Sequence, residues 1–281
     1  MTTETGQAID RYAVFGNPIA HSKSPQIHTL FAKQCDQSLV YTAELAEIGQ
    51  FDSAVRNFIH NNGKGLNITV PFKEDAWQLA DEHSERAQRA GAVNTLMLQT
   101  DGSLFGDTTD GAGLVNDLVS NHGIELNQKD ILIIGAGGAV RGVLEEILKH
   151  EPESLVITNR TKQKAVQLAD DFAALGNISG CGLNEVDDRN FDIVINGTSA
   201  SLQGDLPPLP GTIFKTGACS YDMMYAAQPT PFMQWSTENG AGQVFDGLGM
   251  LVEQAAESFY IWRGVKPETA SVIDIIRKEL K

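Results

Sequence analysis

A short apolar strand that runs into a glycine-rich turn and then into a helix is the feature that most limits the fold. Ile131 to Ile134 are all apolar, and the turn that follows reads Gly135-Ala136-Gly137-Gly138-Ala139. Glycines in such a turn let backbone N–H groups approach a pyrophosphate, and the next helix offers it a positive N-terminal end. The segment predicts a dinucleotide-binding βα unit.

The turn departs from the strict three-glycine pattern. Val140 stands where the third glycine belongs, and Gly138 and Gly142 are the alternatives for close approach. We expect Val140 to pack against the sheet and not to contact phosphate. Taken alone, the segment could also be a tight βα connection without a ligand.

The residues after the next strand indicate which dinucleotide is preferred. NAD-binding folds place an acidic residue about 20 positions after the first glycine, whereas NADP requires a cation for its 2′-phosphate. This chain has Asn159-Arg160-Thr161 there, followed by Lys162 and Lys164. A guanidinium suits phosphate, so the sequence favours NADP. The alternative is a solvated helix start without a ligand.

Strands and helices alternate along the chain as expected for an α/β fold with largely parallel sheets. A turn at 100–102 predicts a hairpin. The first series of predicted strands is Arg11–Gly16, Leu39–Leu45, Gly65–Val70, Thr95–Gln99 and Leu104–Gly106. The second is Ile131–Gly135, Ser154–Asn159, Asp192–Asn196, Ala218–Asp222 and Gln243–Phe245.

A chain of 281 residues fits two domains. The segment from Leu248 to Lys281 predicts two amphipathic helices and no further strand, so these helices must cover another part of the protein. We place the domain boundary near Asp110.

Charge and cysteine content limit the partners. A net charge of -15 argues against nucleic acid and anionic membranes, both of which require a basic surface. The three cysteines form no CxxC motif, which predicts neither a disulfide framework nor a metal site. The polar N-terminus lacks the pattern of a secretory signal, and no apolar run has the length of a membrane span, so we expect a cytoplasmic protein.

Polar residues follow or bound the strands of the first half. They are Ser22, Ser24, Thr69, Lys73, Asn94 and Asp110. Because the carboxyl ends of parallel strands converge on a ligand-binding crevice, these hydroxyls, amide, ammonium and carboxylate could face one small polar molecule. A carboxylated polyol fits that set.

Each of these residues also has a purely structural interpretation. Ser24 before Pro25 could cap a helix, Asn94 could stabilise a turn, and Thr69 could pack at a strand end. We expect His21 and His28 to be surface or capping residues, and Met223 could belong to the core.

These blocks, together with Asp246-Gly-Leu-Gly-Met-Leu-Val-Glu-Gln254 near the end, resemble the shikimate dehydrogenase family along essentially the whole chain. The resemblance implies a substrate-binding and catalytic domain formed by residues 1–109 and 248–281, and a Rossmann-like NADP-binding domain formed by residues 110–247. It implies that the C-terminal helices return to the first domain. It also implies a place in the shikimate pathway of aromatic amino acid biosynthesis, as a monomer or homodimer.

The resemblance also implies roles for single residues. Lys73 and Asp110 match the family's catalytic pair. The implied substrate contacts are Ser22, Ser24, Thr69, Asn94, Tyr225 and Gln254. The implied cofactor contacts are Gly135, Ala136, Gly137, Gly138, Ala139, Asn159, Arg160, Thr161, Lys164, Thr198, Met223 and Gly247. No metal is implied.

The expected reaction is the reversible reduction of 3-dehydroshikimate by NADPH, with Lys73 as proton donor and Asp110 as the group that positions it. Which of the two moves the proton stays open. Three alternatives also remain: a quinate/shikimate dehydrogenase with broader cofactor use, a non-catalytic sensor of shikimate-like metabolites and NADP, and a methylenetetrahydrofolate-type dehydrogenase, which would require a wider, more aromatic pocket.

Overall fold

A computed structural model describes residues 9–186, 189–198, 206 and 208–280. The chain divides into two compact units. Unit 1 comprises Met1–Asp110 and Val252–Ile276, and unit 2 comprises Gly111–Leu251 and Arg277–Lys281. The C-terminal helices therefore belong largely to unit 1, as expected.

Unit 1 is built on a mixed sheet with the strand order β2-β1-β3-β5-β6-β4. Strand β1 is parallel to both of its neighbours, β2 and β3. The strands are β1 Asp10–Gly16, β2 Leu39–Leu45, β3 Gly63–Ile68, β4 Glu82–His83, β5 Thr95–Leu98 and β6 Leu104–Asp107. The helices of the first half are α1 Ser24–Gln34, α2 Phe51–His60, α3 Lys73–Leu79 and α4 Glu85–Ala90.

The predicted hairpin is confirmed, because β5 and β6 pair antiparallel around the 100–102 turn. Strand β5 is also antiparallel to β3. The start of β5 therefore lies at the same edge of the sheet as the ends of β3 and β6. This reversal decides where the polar residues of unit 1 meet.

Unit 2 contains a parallel sheet with the order β12-β11-β10-β7-β8-β9. Its strands are β7 Asp130–Ile134, β8 Ser154–Asn159, β9 Ile178–Gly182, β10 Phe191–Asn196, β11 Phe214–Asp222 and β12 Gln243–Asp246. Its α-helices are α5 Asp110–Asn116, α6 Gly138–Leu148, α7 Lys162–Phe172 and α8 Pro231–Glu238, and Asp117–Asn121 is a π-helical continuation of α5. Helices α9 Leu248–Arg263 and α10 Ala270–Leu280 follow. The Rossmann-like fold class is confirmed.

Alternate residues of the central strands of unit 2 serve two different cores. Ile131 and Ile133 lie in one hydrophobic cluster with helix α6, whereas Leu132 and Ile134 lie in another with Phe232 of α8. A strand covered on both faces has no solvent-facing side, which explains its unbroken apolar sequence.

The structure corrects several predicted boundaries. The third predicted strand, Gly65–Val70, spans Gly63–Ile68 instead, and β11 begins at Phe214, four residues before the predicted start. Strand β9 was missed because Ile178–Gly182 is an edge strand with two glycines and little apolar pattern. Strand β4, of two residues, is too short for a pattern.

None of the helices in the described part of the chain is long and apolar enough to cross a membrane.

Candidate active site

One edge of the unit 1 sheet collects the predicted polar residues. Thr69 follows β3, Asn94 immediately precedes β5, and Asp110 lies three residues beyond β6. Asn94 reaches this edge because β5 runs antiparallel to both neighbours, so its first residue stands beside their carboxyl ends. The sequence predicted the convergence, and the antiparallel strand explains it for Asn94.

Lys73 and Asp110 are in direct contact. The Lys73 ammonium donates a hydrogen bond to Asp110 Oδ2, and the two side chains are 22% and 10% exposed. Asn94 Nδ2 donates to the other carboxylate oxygen, Oδ1, at 2.8 Å. Asp110 is therefore held from both sides, while the Lys73 side chain stays partly exposed.

Asn94 also connects helix α9 to this group. Its Nδ2 lies 3.4 Å from Gln254 Oε1 on α9, and its Oδ1 accepts from the Thr109 backbone N–H at 2.9 Å. That N–H can only donate, so it fixes which end of the amide faces Asp110. Lys73, Asn94, Asp110 and Gln254 thus form one cluster, and the turn interpretation of Asn94 does not describe its full role.

Ser22 and Ser24 lie beyond the carboxyl end of β1. The Ser24 N–H donates to Ser22 Oγ at 3.3 Å. Helix α1 begins at Ser24 with Pro25 in its first turn, and Lys23 at the N-cap makes no side-chain capping bond. The capping interpretation of Ser24 is wrong. The Ser24 side chain is largely buried.

Thr69 shares the edge with these serines. Its N–H donates to the Phe15 carbonyl at 2.9 Å, and its methyl group packs so tightly on β1 that a Cβ added at Gly16 would come within 2.4 Å of it. The packing role considered for Thr69 is therefore present, and its role as a substrate contact stays a prediction.

The two nearby histidines differ. His21 is exposed, as expected. His28 was predicted to be a surface or capping residue, and that prediction is wrong, because it is fully buried and stacks on Tyr41 with the ring centroids 4.2 Å apart. Burial lowers the pKa of His28 to about 3, and a hydrogen bond with Asn67 opposes this only partly.

The glycine turn of unit 2 has the form that a pyrophosphate requires. Gly135 has φ of +111°, which other residues rarely adopt. A Cβ added at Gly137 or Gly138 would meet no atom within 4 Å, so the space in front of these backbones is open. Helix α6 starts at Gly138 without a side-chain cap, which leaves its first N–H groups available to phosphate.

Val140 packs inward, as expected. It is fully buried in the core of unit 2. Its methyl group would lie 2.4 Å from a Cβ added at Gly197, at the end of β10. The glycine missing at 140 is thus compensated by a glycine on the neighbouring strand end, and close helix–sheet packing is kept.

The basic loop after β8 is open to solvent. Arg160, Thr161 and Lys164 are exposed, and Asn159 shapes the loop by donating from Nδ2 to the Thr161 carbonyl at 3.0 Å. Lys162 is engaged elsewhere, since its ammonium lies 2.7 Å from Glu185. Arg160 and Lys164 are accordingly the better candidates for a 2′-phosphate.

The remaining cofactor candidates follow β10, β11 and β12. Thr198 donates from its N–H and hydroxyl to Asn196 Oδ1, at 3.1 and 2.7 Å. Met223 is buried in the core cluster, and a Cβ added at Gly247 would lie 2.2 Å from its carbonyl. Tyr225 is half-buried in unit 2, and burial, followed by the charge of Asp246, raises its pKa.

Sequence reasoning missed part of the polar cluster in unit 1. Asn67, Thr109 and Ser258 are buried and hydrogen-bonded to one another or to Asn94. Asn67 gave a usable signal, because an asparagine between the apolar residues Leu66 and Ile68 of a strand requires buried partners. Ser258 gave none, since one serine in a helix is common.

Three family models match the chain. They describe a shikimate dehydrogenase substrate binding domain at residues 14–96, shikimate / quinate 5-dehydrogenase at residues 117–203, and a shikimate 5′-dehydrogenase C-terminal domain at residues 247–277.

Curated relatives extend this likeness to nearly the whole chain. A protein named shikimate dehydrogenase (NADP(+)) from Chromohalobacter salexigens is 56% identical over 271 residues, which covers 96% of this chain and 99% of the relative. One of the same name from Nitrosococcus oceani is 53% identical over 271 residues, covering 96% of each.

Solved structures share the fold. An Ael1 enzyme from Pseudomonas putida is 45% identical with a TM-score of 0.88, covering 95% of this chain and 97% of that one. Shikimate 5-dehydrogenase from Thermus thermophilus, solved in complex with NADP(H) and shikimate, is 31% identical with a TM-score of 0.86, covering 97% and 100%.

Proposed function

The chain belongs to the shikimate dehydrogenase family, and we propose that it catalyses the reversible NADPH-dependent reduction of 3-dehydroshikimate to shikimate. Unit 1 binds the substrate and unit 2 binds the dinucleotide. The observation that carries the proposal is the Lys73–Asp110 contact, which Asn94 and Gln254 complete within unit 1.

The substrate's polar groups find complementary partners in unit 1. The hydroxyls of Ser22 and Ser24 donate to its carboxylate, and Thr69, Asn94 and Gln254 serve the carboxylate or ring hydroxyls. Neutral donors bind a carboxylate without the desolvation cost of a buried cation. Tyr225 is a further candidate for a substrate contact.

The chemical step requires a hydride and a proton. NADPH, when bound, supplies the hydride to C3 of the ketone. As the C=O π bond breaks, its electron pair moves to oxygen, and the Lys73 ammonium stabilises the developing alkoxide and gives it a proton. Asp110 accepts hydrogen bonds from Lys73 and Asn94 on its two oxygens, so it positions Lys73 and the substrate hydroxyl. In the reverse direction Lys73 takes the proton.

The residues of unit 2 fit the dinucleotide. The open backbone at Gly137 and Gly138 and the uncapped start of α6 would hold the pyrophosphate. Arg160, with Thr161 and Lys164, would hold the 2′-phosphate, and Thr198, Met223 and Gly247 are the candidates for contacts with the rest of the cofactor. The family likeness favours a monomer or homodimer. The free cysteines Cys35, Cys181 and Cys219 favour a reducing compartment such as the cytoplasm.

The test is the loss of nicotinamide absorbance when the protein meets 3-dehydroshikimate with NADPH or with NADH. Rapid oxidation of NADPH alone is the expected result. Comparable oxidation of NADH, together with oxidation of quinate in the reverse direction, would instead identify a quinate/shikimate dehydrogenase. No oxidation with either dinucleotide would refute the proposal and favour a sensor.

A further inference from the structure

A group of buried polar side chains lies behind the Lys73–Asp110 pair, inside unit 1. It consists of His28, Tyr41, Asn67, Thr95 and Ser258, which we call the Asn67 cluster. All five are less than 7% exposed. Burying this many polar groups is costly unless they bond to one another, so the arrangement of their hydrogen bonds is informative.

Asn67 is the junction of the cluster, and its orientation is fixed. Its Nδ2 lies 3.2 Å from the backbone carbonyl of Asn94, which can only accept a hydrogen bond. Its Oδ1 therefore faces the other way, where it accepts from the Tyr41 hydroxyl at 2.7 Å and lies 3.1 Å from His28 Nε2. A flipped amide would place its own oxygen against the carbonyl oxygen of Asn94.

The orientation of Asn67 in turn fixes the tautomer of His28. Because Asn67 Oδ1 accepts, the proton of the imidazole lies on Nε2. The buried Nδ1 makes no hydrogen bond within the described part of the chain, and with the proton on Nε2 it leaves only a lone pair unsatisfied. The ring is packed among Tyr41, Phe31, Phe259 and Trp262, of which Tyr41 alone is titratable.

The cluster leads by direct hydrogen bonds to the proposed catalytic pair. Asn67 Nδ2 lies 3.2 Å from Thr95 Oγ1 and 2.9 Å from Ser258 Oγ. Thr95 Oγ1 donates to Asn94 Oδ1 at 2.8 Å, and Asn94 Nδ2 donates to Asp110. The Ser258 hydroxyl oxygen also lies 2.8 Å from Thr95 Oγ1 and 3.2 Å from Thr109 Oγ1, within hydrogen-bonding distance of both.

We propose that His28 and Ser258 are positioning residues for the reaction, which act through Asn67, Thr95 and Asn94 to hold Asp110 and Lys73 in their reactive arrangement. This inference rests on the proposed function. Neither residue reaches the reacting atoms. His28 orients the Asn67 amide by donating to its oxygen, and Ser258 holds its nitrogen. Because a buried amide with one unmatched end loses its preferred orientation, removal of either support loosens Asn94.

Two substitutions at His28 separate positioning from packing. His28→Phe keeps an aromatic ring on Tyr41 and removes the donor, whereas His28→Gln places an amide N–H near the position of Nε2 and removes the ring. Positioning predicts that His28→Phe lowers kcat about 10-fold, with the KM for NADPH unchanged, and that His28→Gln retains most of the turnover. A packing role predicts the opposite order, with His28→Gln the worse enzyme and the less stable one.

Ser258→Ala provides the second arm. We expect it to lower kcat by about 5- to 10-fold without altering the KM for NADPH. Ser236→Ala is the matched control, because Ser236 is equally buried on a helix but bonds to Ser220 in unit 2. If Ser258→Ala and His28→Phe fold and retain wild-type kcat, the inference is overturned.

A measurement that does not use turnover tests the geometry itself. Imidazole ¹⁵N shifts of the wild-type protein should show His28 neutral and protonated on Nε2 from about pH 5 to about pH 8. A proton on Nδ1, or titration in that range, would contradict the inference. Failure of the proposed function would instead appear as a wild-type protein that oxidises no dinucleotide, whatever the tautomer.

Discussion

The two units present their candidate binding residues in different ways. In unit 1, Asn94 and Asp110 are 2% and 7% exposed and already hydrogen-bonded to protein groups. In unit 2, Arg160, Thr161 and Lys164 are exposed, and the glycine backbone faces open space. Within the described part of the chain, the polar groups of unit 1 are thus paired with protein groups, whereas unit 2 presents charged side chains and N–H groups to solvent.

This difference follows from the proposed ligands. A small polyol is distinguished by the direction of each hydrogen bond, which only fixed, buried partners can specify. A phosphate is recognised by its charge and can be held by any well-placed cation and N–H group. Substitutions should accordingly impair turnover in unit 1 and dinucleotide affinity in unit 2.

The largest effect should come from Lys73 in unit 1. Lys73→Met removes the proposed proton donor, and we expect kcat to fall by about 100- to 10,000-fold with a small change in substrate KM. Lys64→Met on strand β3, also in unit 1, is the control, since Lys64 is exposed. A Lys73→Met enzyme that keeps most of its turnover would remove Lys73 from the mechanism.

The corresponding test of unit 2 is Arg160→Gln. Loss of a charge-assisted contact to the 2′-phosphate should raise the KM for NADPH by about 10- to 100-fold and leave the KM for NADH nearly unchanged. Lys162→Gln is the matched control, because Lys162 is already paired with Glu185. Equal effects on both dinucleotides would show that Arg160 does not contact the 2′-phosphate.

His28 predicts a pH dependence of stability that belongs to unit 1 alone. Its pKa is about 3 in the fold and about 6.5 in an unfolded chain, so the unfolded state binds the proton more readily. Stability is therefore lost as the pH falls below about 6.5, by about 2 kcal/mol at pH 5. Denaturant unfolding of His28→Gln at about pH 6.5 and about pH 5 should show a smaller loss of unfolding free energy than the wild type. If the loss is the same in both proteins, the buried neutral ring is contradicted.

The smallest effect is expected in unit 2, at the last turn of α10. Arg277 donates to both oxygens of Asp246, a buried carboxylate that also accepts from the N–H of Leu248 at the start of α9. Arg277 is 37% exposed, so solvent screens the pair. Arg277→Met should lower the free energy of unfolding by about 1 kcal/mol.

Arg56→Met is the control for that measurement. The Arg56–Asp52 pair is exposed on both sides, and its loss should be close to neutral in the same urea titration. If Arg277→Met is also neutral, the ion pair does not anchor Asp246.

Much of the fold could be predicted because periodicity and turn chemistry are local. The unbroken apolar run Ile131–Ile134 was sufficient to predict a strand covered on both faces, and the amphipathic segment after Leu248 was sufficient to predict a packed helix. The edge strand Ile178–Gly182 was not predicted, because its two glycines leave little apolar pattern and only its pairing with β8 in the folded sheet makes it a strand.

The candidate site divides in the same way. The glycine turn, Arg160 and the polar residues at strand ends could be predicted, because each belongs to a local sequence motif or lies directly beside one. The hydrogen bonds of Asn67 were missed because its partners, Tyr41 and Ser258, come from elements that are distant in sequence. The same holds for His28, which at the level of the sequence is one histidine on a helix.

The sequence by itself determined the type of fold, the dinucleotide turn, the basic loop that favours NADP, and the residues available for catalysis. Only the tertiary structure decided which of those residues are paired. The antiparallel turn of β5 brings Asn94 to Asp110, and helix α9 brings Gln254 and Ser258 to the same edge from about 145 to 165 residues away along the chain. Backbone conformation is governed by near neighbours in sequence, whereas a buried hydrogen bond requires two groups that only folding brings together.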